Sequence, residues 1–163
     1  MIASDNREER RFRAALARSN IPIYVVADHY RSLGHRVELP PVQLRPHFEK
    51  RAGYGDEYEL LIDRRWKIEL KERSLAFTGA NDFPYETIFV DRVEKADSVI
   101  VHGYISVSES LTHLALVKTS ETRKFWEIVN TFDVTKGYSL RVYTCPIALV
   151  CFTRCKRSWV CSV

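Results

Sequence analysis

Gly53-Tyr54-Gly55-Asp56-Glu57-Tyr58-Glu59-Leu60-Leu61-Ile62-Asp63-Arg64-Arg65-Trp66-Lys67-Ile68-Glu69-Leu70-Lys71 reads as a turn, a strand, a tight hairpin near Asp63–Arg65 and a second strand. A three-residue loop, Asp63–Arg65, pairs Ile62 with Trp66 and sets Glu59 opposite Glu69. It also puts Tyr58, Leu60, Ile62, Trp66, Ile68 and Leu70 on one apolar face. A loop of Arg64-Arg65 alone slips the register by one and brings Asp56 onto the face of Glu69 and Lys71 instead. In both registers, carboxylates from two adjacent strands meet at one point.

That convergence has a chemical use. Mg²⁺ is a hard cation that is usually held by one or two carboxylates, with water and substrate phosphate filling the rest of its octahedral shell. Asp56 and Glu69 supply two such carboxylates, and the carbonyl of Leu70 a third oxygen. Lys71, two residues on and on the face of Glu69, stands where it can orient a water and stabilise charge on an attacked phosphate. The upstream acid stays open among Asp56, Glu57, Glu59 and Asp63. The plain alternative is a solvated strand face, with Glu57, Glu59 and Lys67 as cross-strand partners of Glu69 and Lys71.

Outward from the hairpin, the chain divides into short elements. Asp5 to Arg18 reads as a capped helix, and Ile23–Leu33 as a second one that begins after Pro22 and stops at Gly34. A strand follows at about His35–Leu44, interrupted at Pro40-Pro41. Tyr85–Asp91 reads as a strand and Arg92–Asp97 as a short helix. Val99–Val107 and Thr112–Lys118 read as a strand pair, Ser120–Phe132 as a helix burying Phe125, Ile128, Val129 and Phe132, and Tyr138–Cys145 as a strand. Helices first, then a strand-rich middle, then a helix and a strand make an α/β chain with a mixed sheet.

Asp56 followed by Glu69-Leu70-Lys71 at the end of the next strand resembles the signature of the PD-(D/E)XK nuclease superfamily. The separation of 13 residues is similar to that in its small members, such as archaeal Holliday-junction resolvases and phage-type nucleases. Tyr85-Glu86-Thr87-Ile88-Phe89-Val90-Asp91 with Val93-Glu94-Lys95 resembles the strand and basic helix that follow the motif. The resemblance spans about Glu8 to Asp97, and Gly55 stands where the family often has Pro. It implies a restriction-endonuclease-like mixed sheet flanked by helices, with the N-terminal helices first. It implies a metal-dependent nuclease that hydrolyses phosphodiester bonds, with Mg²⁺ (or Mn²⁺) as cofactor and DNA as the expected substrate. Asp56, Glu69 and Lys71 would be catalytic, and a first-helix glutamate, Glu9 with Glu8 in contention, would join Asp56, Glu69 and Leu70 around the metal. A homodimer is expected by the same analogy. The alternative is a catalytically inactive nucleic-acid-binding or phage or bacterial assembly protein that keeps the fold.

Length and composition fit one ordinary domain, which the resemblance implies is a nuclease domain at 1–150 with a basic, cysteine-bearing tail at 151–163. The 163 residues are 45% hydrophobic, enough for a core, and no apolar run approaches the roughly 20 residues that span a bilayer. A soluble, cytoplasmic protein is expected, with no signal peptide and no membrane partner. Net charge is +4, but after Asp133 come five cations and no acid, so that stretch is +5 and the remainder −1. Such a basic face suits a polyanion. Arg7, Arg10, Arg11 and Arg13 crowd the first helix, and Arg64, Arg65 and Lys67 crowd the hairpin. Arg10, Arg64, Arg65 and Lys95 are the candidate phosphate contacts, and Trp66 or Trp159 can stack on a base. Cys145, Cys151, Cys155 and Cys161 match no common zinc spacing, the five histidines show none either, and phosphate-loop, dinucleotide and serine-elbow motifs are missing.

Overall fold

The computed structural model describes residues 21–40, 58–71, 74–134 and 137–156. Its first element, α1, is helical over 21–32 and closes at Gly34, whose φ of 91° is the left-handed conformation that glycine adopts without strain. Strands β1 (Val37–Glu38), β2 (Leu60–Ile62) and β3 (Trp66–Lys71) follow as an antiparallel run. Next come β4 (Thr87–Arg92), α2 (Val93–Ser98), β5 (Gly103–Val107), β6 (His113–Lys118), α3 (Thr119–Thr122), β7 (Glu127–Asp133), β8 (Tyr138–Pro146) and β9 (Cys151–Arg154).

Two sheets result, one of six strands in the order β1-β2-β3-β5-β6-β9 and one of three in the order β4-β8-β7. The larger sheet is mixed: β3 runs parallel to β5, and β5 pairs antiparallel with β6. The link from β3 to β5 leaves the sheet through β4 and α2, as a parallel pair requires.

Strand alternation sorts the larger sheet's side chains into two cores. Ile68, Leu70, Ile105 and Leu114 join Val26 and Ala27 of α1 on one face. Tyr104, Ala115 and Val117 join Ile88 and Val90 of β4, Cys145 of β8 and Trp126 on the other. The larger sheet is therefore sandwiched between α1 and the smaller sheet, and Glu69 and Lys71 project on the smaller sheet's side.

The fold is α/β with a mixed sheet, but its helices are not gathered ahead of the strands, since α2 and α3 both follow them. The helix expected at Ser120–Phe132 survives only as α3 and a 3-10 turn at Arg123–Phe125. Ile128-Val129-Asn130-Thr131-Phe132, rich in β-branched residues, pairs instead with β8 as β7. Its apolar residues are exposed rather than buried, Phe132 to 60%. Cys151–Arg154, at the start of the expected basic tail, form β9, which pairs with β6 at the edge of the larger sheet. The expected helix Asp5–Arg18, the strand beyond Pro40 and the end of the tail lie outside the described residues.

Candidate functional site

The β2–β3 hairpin takes the three-residue loop, with Ile62 opposite Trp66, Leu61 opposite Lys67 and Leu60 opposite Ile68. Asp63 and Arg64 adopt positive φ in that loop. Asp63 is anchored there, its carboxylate accepting from His35 Nδ1 at 2.8 Å and from the Arg36 amide at 3.0 Å. These bonds, His35 first, hold its pKa below the ordinary range.

Ahead of Leu60 the Glu59 amide still donates to the Ile68 carbonyl at 2.9 Å, and the Glu59 side chain extends the pairing. Glu59 Oε2 accepts the Leu70 amide at 2.6 Å, so among the described residues it is Glu59, just ahead of β2, that comes beside Glu69, as the three-residue loop requires. Burial, and then the charge of Glu69, push the Glu59 carboxyl up to about 7. Asp56 lies outside the described residues, as do Glu57, Glu9 and Arg10.

Glu69 and Lys71 share a face, as alternation demands. Glu69 is 6% exposed and Asp91 of β4 is 4% exposed. Lys71 Nζ bridges them, 3.1 Å from Glu69 Oε1 and 2.7 Å from Asp91 Oδ2, and lies 5.6 Å from the ring centre of Tyr104. Lys95 of α2 also donates to Glu69 Oε1 and stands 3.9 Å from Asp91. Burial works against the charge on Lys95, but Glu69 and then Asp91 outweigh it and hold its pKa above the ordinary value. Burial, and then Asp91, raise the Tyr104 phenol well above its usual range.

Asp91 owes its inward aim to a β-bulge. The pairing of β4 with β8 shifts between Phe89 and Asp91, so Val90 and Asp91, consecutive in sequence, are both buried. Simple alternation would have put Asp91 on the face of Phe89.

One atom in this network is left over. Glu69 Oε2 is buried and, among the described residues, has no hydrogen-bond partner. A buried carboxylate oxygen without a donor costs about 1–3 kcal/mol or more, which a cation or a proton would relieve. The donor set is all oxygen, the chemistry that Mg²⁺ and Mn²⁺ prefer. Among the described residues no three His, Cys, Asp or Glu side chains form a ready metal cage. A divalent ion here would therefore be held by Glu69 and Glu59, with backbone oxygen, water or substrate in the remaining positions.

Glu69, Lys71 and Lys95 thus come together with Glu59 and Asp91. Leu70 contributes its amide to the cluster, through Glu59. Arg64 and Arg65 do not join them. Both are exposed on the hairpin at the far end of β3, Arg64 against Glu38 at 3.4 Å and Arg65 stacked 4.7 Å over the Trp66 ring. Sequence reasoning gave Asp91 no role, because the bulge that turns it inward has no local signal in the sequence. No protein-family model matches this chain, and neither a curated protein nor a solved structure is detectably similar to it.

Proposed function

We propose that this chain is a metal-dependent nuclease of the PD-(D/E)XK type, hydrolysing phosphodiester bonds, with DNA as the expected substrate. The observation that carries the reading is the unpartnered, buried Oε2 of Glu69, two residues from a lysine and within the field of Glu59. A divalent cation bound by Glu69 and Glu59 would polarise the phosphoryl oxygen and acidify a water. Lys71, pinned between Glu69 and Asp91, orients that water and offsets charge on the attacked phosphate. Asp91 positions Lys71 and does not itself touch substrate. Lys95, the more exposed of the two lysines, is placed to take a backbone phosphate once it leaves Glu69. Asp56 and Glu9 remain candidates for the same shell, and a homodimer remains the expected arrangement by analogy.

A second reading has its own support. Lys71 and Lys95 already compensate Glu69 and Asp91 inside the fold. A protein that retained this network as scaffold would bind nucleic acid, or assemble with other proteins, without cutting.

Cleavage of supercoiled plasmid and of a short single strand, with Mg²⁺, with Mn²⁺ and with chelator, separates the two. The nuclease reading expects metal-dependent nicking that Glu69→Gln and Lys71→Ala both abolish. Well-folded wild type that binds DNA in a salt-dependent way, without cutting any substrate, would replace it with the second reading.

A further inference from the structure

A cavity of about 270 Å³ opens at the other end of β3, on the α1 face of the larger sheet. Sites for drug-sized molecules run from about 300 to 1,000 Å³, so this one suits a single small ring system. Its floor is apolar, made by Ile62, Ile68 and Leu116 beside Gly103. Any side chain at Gly103 would bring a Cβ to 3.0 Å from Leu116 and 3.1 Å from Ile68, so the floor is closed by the absence of one.

The walls are two aromatic pairs. Trp66 meets His102 edge-on with ring centres 5.5 Å apart, and Tyr30 meets His35 edge-on at 5.8 Å. Trp66 is 38% exposed, with the Arg65 guanidinium stacked 4.7 Å over its ring. The rim carboxylate of Asp63 is held by hydrogen bonds from His35 and the Arg36 amide, and Lys118 is paired with Glu121 at 3.1 Å. A neutral, planar ligand fits better here than an ion.

The two imidazoles supply polar readout. His102 Nδ1 accepts the Lys67 amide at 3.1 Å, so the neutral ring carries its proton on Nε2 and offers a donor. His35 donates from Nδ1 to the Asp63 carboxylate, so the neutral ring offers Nε2 as an acceptor. One donor and one acceptor between aromatic walls match the edge and faces of a nitrogen heterocycle.

We propose that this cavity is a nucleobase-binding site, in which a purine or pyrimidine stacks against Trp66 and is read at its edge by His102 and His35. The base comes either from a nucleic-acid strand or from a free nucleotide. The site lies on the opposite face of β3 from Glu69 and Lys71, and its occupancy requires no cleavage, so it stands apart from the nuclease reading.

Calorimetric titration of the full chain with adenosine monophosphate, and separately with a short oligo(dA), tests it. Saturable binding is expected with at least one probe, and which probe binds identifies the source. Trp66→Leu should weaken that binding roughly 5- to 150-fold, the usual loss for a base-stacking aromatic, while Trp66→Phe largely retains it. His102→Phe, which keeps the wall but loses the donor, should weaken it as well. Circular dichroism and thermal melting check that each variant folds. Binding of neither probe, or binding that Trp66→Leu leaves unchanged, overturns the proposal.

Discussion

Strand β3 carries two different environments. Toward its C-terminus Glu69 and Lys71 enter a layer with Glu59, Asp91 and Lys95, where charges are buried and each depends on its neighbours. Toward its N-terminus, about 10 Å from Glu69 at ~3.3 Å per residue, Trp66 and His102 line a half-open apolar cavity whose charges stay at the rim. The same alternation produces both, since odd positions face the smaller sheet and even positions face α1. What differs is the cost of an error. A lost partner strands a buried charge at the first end, whereas at the second it exposes a little more ring to water.

The sharpest test of that contrast is Lys71→Met. It removes the ammonium from between two buried carboxylates and, among the described residues, leaves Asp91 with the Arg92 amide, at 2.8 Å, and the distant Lys95. Breaking a buried pair from one side costs about 3–5 kcal/mol, so urea unfolding should register a loss of about 3 kcal/mol. A loss below 1 kcal/mol would mean that water reaches the cluster freely.

The second test uses pH. Glu59 titrates near 7 in the fold and near 4.5 when unfolded, so between those values the folded state binds the extra proton. Stability from this group is therefore present at low pH and is lost as pH rises through about 7. Glu59→Gln keeps an oxygen for the Leu70 amide and removes the titration. Urea midpoints measured from pH 5 to pH 8 should fall with pH more steeply in wild type than in the variant.

The hairpin itself, α1 with its glycine stop, the β5–β6 pair and the strand–helix unit at β4–α2 were legible in the sequence. Each rests on local alternation or capping that tertiary packing did not overrule. Glu59 was legible only as one of two registers, and the loop length settled it at Asp63–Arg65. Asp91 was not legible as part of the cluster, because a bulge in β4 changes its face and nothing in Phe89-Val90-Asp91 announces one. The segment after Ser120 failed for the opposite reason. Phe125, Ile128, Val129 and Phe132 fit a helical stripe, but pairing with β8 outweighed it.

At the cavity end, effects should be smaller. Gly103→Ala drives a methyl against Leu116 and Ile68, whose side-chain ends can yield, at about 1 kcal/mol by urea unfolding. The same variant narrows the cavity, so it should also weaken base binding. Glu121→Ala breaks an exposed pair with Lys118 and should change stability by less than about 0.5 kcal/mol.

Central to the account is that Glu69 Oε2 waits for a cation. Titration of the protein with Mn²⁺, following the free ion by its electron paramagnetic resonance signal, tests this without reference to any substrate. The account predicts a saturable site in wild type that weakens on acidification through about pH 7, as Glu59 takes up its proton, and that disappears in Glu69→Gln. Identical free-Mn²⁺ curves for wild type and Glu69→Gln would contradict it and leave the cluster a buried ion network with no metal to hold.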